Sequence, residues 1–478
     1  MRRFGIYLFV LFLGIFPLQT VYLLRETIIG GEKWQYGTIG IYAADTLLVL
    51  ILGWYGARYF VHRRTRSNFE GQRHRIARLT GTQKQLFLMP FASEQTAKKK
   101  FVFALQYVKQ LLVKRDILCI GFIFWAGLSI LWAPDQVLAG YFVVKLLLAL
   151  SVFWIAHSLD EHEVNWAIII LCIGAVLESI LGIGQFLTQS TFVSTWLGMS
   201  GHEAWQAGTS VLKNDTGRWL RSYGTFPHPN MLGGYLGAIL VLGMGYFSHR
   251  VLSTRVQWVV WGGGMILLLG LFLTFSRTAW VGTAIGILVL SLVSVVQVSV
   301  QSSRKSAVLK NEGEKRIARV FMVFCVATLI FSWVLRETVL PRFDGRVIES
   351  EHSVSERVQS LADAWEVISK KNIWLGVGAG NFTAAVIQAQ PERPIWSVQP
   401  VHNVFVLVFV ELGVVGAVLC ILYFISRIWS ALQEKHNLFF AVSGVLFLSL
   451  CLDHWLWTTH FGILFFCLML GLSAKRMT

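Results

Sequence analysis

The chain has 478 residues, 55% of them hydrophobic and only 14% charged, with a formal net charge of +16. Soluble domains carry about 25% charged residues, so this composition excludes a water-soluble enzyme, a disordered scaffold and a fibrous protein. A polytopic membrane protein remains, and its excess of lysine and arginine first asks which side of the bilayer they face.

A spanning helix needs about 20 mostly apolar residues. About twelve segments qualify on that criterion, near 4–24, 39–61, 116–133, 137–158, 164–187, 228–248, 256–275, 279–299, 320–337, 402–425, 438–454 and 459–473. They are continuous apolar runs, which predicts an all-α protein and not a barrel of alternating strands. The first contains Pro17 and has no small-residue cleavage site before Arg25, so it reads as a retained span. With Arg2 and Arg3 placed in the cytoplasm, about 28 of the 42 Lys and Arg fall on that side and about 13 on the other, with Lys145 inside a span. Both termini are then cytoplasmic. The stretch 62–115, with RRTR, RHRIAR and KKKF, is an orienting loop or a polybasic contact with anionic lipid, and nucleic acid is not a partner.

This divides the chain into 1–337 (nine spans, the basic loop 62–115 and an outward loop 188–227), a large outward loop 338–401, and 402–478 (three spans and a cytoplasmic tail). In the large loop Val354, Val358, Leu361, Ala362, Trp365 and Ile368 recur at helical spacing, behind a capping pattern of Ser353 and Glu356. That predicts an amphipathic helix along the membrane surface or capping the bundle, ended by the run Gly376–Gly380. All six cysteines fall inside spans and read as free thiols.

Few polar groups interrupt the apolar pattern. Thr274-Phe-Ser-Arg277 lies between two spans, where Ser276 would cap the next helix. Arg277 is either the positive wall of an anion site or an interfacial arginine reaching for headgroups beside Trp280. His402-Asn403 stands just before a span, so His402 is a general base, a metal ligand or a helix start. Arg221 and Asn230 bracket the entry to the 228–248 span, where His228 or Asn230 would face a cavity or merely begin a helix. Arg357 lies on the polar side of the outer helix, where simple solvation is the plain reading. Asp45, Lys145, Glu178, Glu411 and Asp453 fall within spans, and Lys145 with Glu178 would make a structural pair. No nucleotide-binding, zinc-protease or serine-elbow motif occurs, and the acidic residues follow no metal-ligand spacing, so no metal or cofactor is expected.

Four features occur together: Gly224-Thr-Phe-Pro-His-Pro-Asn230, Thr274-Phe-Ser-Arg277, Glu356-Arg357 through Trp365 to Gly376-Val-Gly378, and His402-Asn403 followed by Glu411-Leu-Gly413. In their order, spacing and sidedness the chain resembles the O-antigen ligase and O-antigen polymerase superfamily of bacterial polytopic membrane glycosyltransferases. The resemblance covers about 220–415. It implies a lipid-linked-sugar glycosyltransferase architecture and residence in the bacterial cytoplasmic (inner) membrane. It implies a glycan donor on undecaprenyl diphosphate and a lipid, glycan or protein acceptor, without metal or nucleotide sugar. It also implies roles for three residues: Arg277 and Arg357 at the diphosphate and His402 as the base, with Ser276, Asn230, Asn403 and Arg221 in support. Ligase and polymerase share this chemistry. A transporter of lipid-linked glycan is the reading of a different class, drawn from the charges within the spans.

Overall fold

The computed structural model describes residues 2–54, 115–214, 217–248, 250, 252–300, 348–434 and 437–473, with isolated helical positions between 322 and 336. The basic segment 62–115 apart from Arg115, much of the expected 320–337 span, and Lys475 and Arg476 lie outside the described residues. The chain is mostly helical. Among the described residues five helices are long and apolar enough to cross a membrane: α4 (Gln136–Ser158), α5 (Glu161–Thr188), α6 (Pro229–Ser248), α7 (Thr254–Leu273) and α11 (Val404–Glu434). Shorter apolar stretches of 10–17 residues occur in α1 (Arg2–Ile15), α2 (Ala43–Trp54), α3 (Arg115–Leu128), α8 (Arg277–Val300), α12 (Asn437–Leu452) and α14 (His460–Ser473). The remaining helices are α9 (Ile348–Ser369), α10 (Phe382–Ala389) and the single turn α13 (Trp455–Thr458).

Three short antiparallel ribbons modify the all-α expectation. The first lies within the expected 4–24 span, because α1 stops at Ile15, just before Pro17. A proline brings no backbone N–H to continue the ladder. Beyond it β1 (Val21–Arg25) pairs with β4 (Ile39–Tyr42), enclosing the small pair β2 (Ile28–Ile29) and β3 (Glu32–Lys33). The expected 39–61 span therefore starts only at Ala43. Val-Tyr-Leu-Leu is as apolar as a helix face, and apolarity alone does not distinguish the two. In the 188–227 loop, β5 (Val211–Asn214) and β6 (Gly217–Leu220) form the third ribbon.

α6 is the central helix, buried along most of its length. Two glycines in its first turn let neighbours close in: a Cβ on Gly233 would meet Thr274 Oγ1 and the Ala279 Cβ at 2.9 Å, and one on Gly234 would meet the Trp455 ring at 2.5 Å. Small residues at such crossings are how apolar helices approach closely without a hydrophobic driving force.

α11 is broken. Gly413 has φ 67° and ψ −171°, outside the helical region, and backbone groups on both sides of it find partners elsewhere in the chain. The Val410 carbonyl accepts the Val377 amide (3.0 Å), and the Glu411 carbonyl accepts Gly378 (2.7 Å). The Leu412 carbonyl accepts the Trp125 indole (2.8 Å), and the Val414 amide donates to Ile373 (2.9 Å). The Glu411 carboxylate takes the Gly380 amide (2.9 Å) and the Trp457 indole (2.8 Å). The Gly376–Gly380 run thus does not end the outer helix, which stops at Ser369; it docks against the break.

Two other expectations change. Helix α9 begins at Ile348, so Ser353 and Glu356 lie inside it and not at its cap. Its buried face is Ser360, Asp363, Ala364, Val367 and Ile368, while Val358, Leu361 and Trp365 (75% exposed) turn outward. The buried Asp363 carboxylate accepts Arg393 Nη1 at 2.7 Å, while the outward apolar row is the side that a helix along a membrane surface turns to lipid. Lys145 and Glu178 do not pair. Lys145 donates to the Thr458 carbonyl (3.4 Å) and lies about 5 Å from the centres of the Tyr141 and Phe142 rings. Glu178 accepts the Thr225 amide and hydroxyl, both at 2.8 Å.

Gly413→Ala is expected to lower the melting temperature of the detergent-solubilised protein. Its Cβ would sit 2.2 Å from the Trp374 carbonyl oxygen at a positive φ, a conformation that costs about 1–3 kcal/mol before the clash is counted. Scanning fluorimetry reads this directly, and an unchanged melting temperature would contradict the docking of the loop at the break.

Candidate functional site

The site grows from Asn230 in the first turn of α6. Its Oδ1 accepts Arg221 Nη2 (2.8 Å) and its Nδ2 donates to Asp453 Oδ2 (2.9 Å). Arg221 is buried and also donates through Nε to the Thr274 carbonyl (2.7 Å). One amide and one guanidinium therefore tie three separate chain segments together: 221–230, the α7–α8 junction and the α12–α13 link. The glycines at 233 and 234 make this geometry reachable by admitting the junction and Trp455 on either side of the same turn.

The junction is tightly wound. Phe275 adopts a positive φ of 48°, uncommon for a residue with a bulky side chain. The Thr274 hydroxyl turns back to the Leu271 carbonyl (2.6 Å). Ser276 Oγ accepts the Ala279 amide at 3.4 Å, a long N-terminal cap. Arg277, half-buried, opens α8 directly after it.

Asp453 collects imidazoles. Burial works against its charge, but His454, His402 and His228 together with the Asn230 amide outweigh it, so its carboxyl titrates below the usual range. The His402 and His454 rings meet edge to face at 5.0 Å. His228 Nδ1 accepts the Asn230 amide (3.1 Å), which leaves Nε2 facing the Ser210 hydroxyl at 3.0 Å. Burial lowers all three imidazoles: His454 to about 4, His228 below its usual value with Arg221 adding to the effect, and His402 below its usual value against the opposing pull of Asp453. A carboxylate and three imidazoles so enclosed exchange protons as one unit.

Arg357, half-buried on α9, is near enough to His402 to oppose its protonation, and Glu356 favours it. Arg357 Nε and His402 Nδ1 are both buried without a hydrogen-bond partner. Such groups cost free energy unless something fills the place. Asn403 caps α11 by accepting the Val406 amide (3.1 Å) and donates to the Cys451 carbonyl (3.1 Å), which holds His402 beside the Asp453 segment. Tyr36 closes one side: its ring stands 6.2 Å from His454 and its hydroxyl donates to Gln399 (2.8 Å).

The structure thus gathers His402, Arg357, Asn403, Asn230 and Arg221 around Asp453, and sets Ser276 and Arg277 at the junction Arg221 holds. Asp453 and His454 were visible in the sequence as an acid beside an imidazole at the end of an apolar run, yet only folding brings them to His402. Among the described residues no group of three His, Cys, Asp or Glu is arranged to hold a metal ion.

This is a multi-pass membrane protein with a basic and imidazole-lined site at one end of its helical bundle. Residues 262–421 match the family model described as O-antigen ligase, which supports the O-antigen ligase superfamily for this segment. Three of the four features on which the resemblance rests lie inside the match: Thr274–Arg277, Glu356–Gly378, and His402–Asn403 with Glu411–Gly413; Gly224–Asn230 precedes it. No curated protein matches the chain.

The lowered imidazoles give the fold a pH signature. In the unfolded chain a histidine titrates near 6.5, whereas in the fold His454 titrates at about 4. As pH falls below about 6.5 the unfolded state takes up the proton first, so stability declines until about pH 4. His454→Gln is expected to flatten the fall in melting temperature between those limits; an equally steep fall in the variant would remove His454 from this account.

Proposed function

We propose that this protein is a membrane glycosyltransferase that moves a glycan from a polyprenyl diphosphate carrier to an acceptor hydroxyl at the outer face of the bacterial cytoplasmic membrane. The observation that carries this reading is the juxtaposition of His402 and Arg357, each with a buried nitrogen that has no partner.

The acceptor oxygen attacks the anomeric carbon while the bond from that carbon to the diphosphate oxygen breaks. The acceptor proton goes to His402, whose lowered affinity for a proton keeps the imidazole neutral and able to accept one. The leaving diphosphate takes the electron pair, and its growing negative charge is met by the guanidinium groups of Arg357 and Arg277. The positive end of the α8 dipole adds to that field. The Asp453 charge favours the imidazolium that His402 becomes, and the His454 ring packs against it edge to face. Attack opposite the departing diphosphate inverts the anomeric centre.

The transporter reading loses its main support, because the charges within the apolar segments already have internal partners. Glu411 serves the α11 break, Glu178 holds Thr225, Lys145 faces a carbonyl and two rings, and Asp45 lies 2.8 Å from His460. Ligase and polymerase differ only in the acceptor. A ladder of repeats as product identifies a polymerase; a capped lipid or glycoprotein identifies a ligase.

The test is transfer by the purified protein from a lipid-linked oligosaccharide. His402→Ala is expected to lose about 10²–10⁴-fold in rate, and Arg277→Ala or Arg357→Ala about 10²–10³-fold. Arg277→Lys should remain impaired, since an ammonium does not reproduce the planar fork. Full activity in all three alanine variants, with folding intact, would refute the assignment.

A further inference from the structure

A second cavity lies at the same end of the bundle, between the β1–β4 ribbon, the start of α4 and the end of α10. It has a volume of about 540 Å³ and is lined by Arg25, Thr27, Trp34, Asp135, Gln136 and Gln388 among others, within the size range of small-ligand sites. We propose that it is a saccharide subsite that holds an uncharged sugar unit of the glycan substrate; the inference rests on the transferase reading above.

Charge comes first. Arg25 donates through Nη1 to Asp135 (3.0 Å), pairs with it again through Nη2, and reaches Thr27 Oγ1 through Nε (3.2 Å). Asp135 is further occupied by the Leu138 amide (2.9 Å) as the cap of α4. The single cation is thus matched by the single carboxylate, so the cavity has no spare positive charge for a diphosphate or an acidic sugar. What it offers is uncharged: the exposed amides of Gln136 and Gln388 and the indole of Trp34. Side-chain amides supply both donors and acceptors, as a ring of hydroxyls demands, and the indole, its ring packed in the core, contributes one N–H donor.

Trp34 supplies the independent sign that a ligand is missing. Its side chain is only 4% exposed, and its Nε1–H is buried without any hydrogen-bond partner. Most buried indoles find one. A sugar hydroxyl in the cavity would be that acceptor.

Position joins this cavity to the reaction site. Trp34 leads through a short 3-10 turn (Gln35–Gly37) to Tyr36, the residue whose ring stands 6.2 Å from His454. Two residues span at most about 7 Å of chain. The far wall is equally fixed: the Asp135 amide donates to Asn381 (2.8 Å), in the loop that docks on the α11 break. A glycan whose reacting sugar lies at His402 would pass Tyr36 and place a neighbouring unit beside Trp34.

The experiment uses the full-length protein in lipid nanodiscs. The probe is the repeat-unit oligosaccharide released by mild acid from the lipid-linked intermediate of the producing cells, and binding is read by titration calorimetry. Wild type is expected to bind it. Trp34→Phe, which keeps a flat ring and removes only the N–H, and Gln388→Ala, at an exposed position, should each bind about 3- to 10-fold more weakly, the effect of one net hydrogen bond. In the transfer assay both should raise KM with little change in kcat. Wild-type affinity in both variants, or no binding by wild type, would overturn the subsite. Binding with the expected weakening but no turnover by wild type would leave the subsite standing and sink the transferase reading. Turnover that neither variant alters would do the reverse.

Discussion

A helix that releases its own hydrogen bonds inside an apolar bundle has to find other partners for them, because lipid and hydrocarbon side chains offer none. At Gly413 the partners come from a segment 30–40 residues earlier in the chain, which pairs with Val410, Glu411 and Val414 in the manner of a short strand. Much of the site depends on this exchange. It fixes the loop that carries Asn381, which in turn orients Asp135 and the cap of α4. It also sets the first half of α11, and with it His402 and Asn403, against the end of α12.

The second organising contact is the Asn230 amide, which faces a guanidinium on one side and a carboxylate on the other. An amide suits that place because its oxygen and nitrogen match the two charges without adding one. Replacing it with a carboxylate would put two like charges side by side under burial. The imidazole group around Asp453 thus owes its electrostatics to a neutral residue at the start of a helix. Through Arg221 the same contact reaches the junction that presents Arg277.

The apolar runs made the positions of most helices legible, α6, α7, α12 and α14 nearly to the residue. They misread 21–25 and 39–42, where valine, tyrosine, leucine and isoleucine serve a strand as well as they serve a span. On α9 they marked Val358, Leu361 and Trp365 as one apolar side, but gave no sign that Asp363 on the opposite side is buried against Arg393. Of the candidate residues, Arg277 and His402 stood out as polar groups at the ends of apolar runs, whereas Arg357 looked like any solvated arginine and was singled out only by resemblance. Asp453 and His454 escaped because their meaning lies in what they touch. No local pattern announces that a glycine pair at 233 and 234 will bring Trp455 and the 274–279 junction to the same turn.

The break in α11 also bears on the order of assembly. Synthesis runs from the N-terminus, so the segment 373–381 emerges before the helix that will receive it. Its earlier partners, Ser129 and Asp135, are already available, and they bond to Ala379 and Asn381. In order of synthesis the loop thus follows the segments that hold Ala379 and Asn381 and precedes α11, with α12 to α14 still to come. A helix that inserted as one unbroken rod would have no use for that loop, and the carbonyls of Val410 and Glu411 would be spent on its own backbone. In this protein the break in one helix and the docking of a loop are two sides of one set of hydrogen bonds.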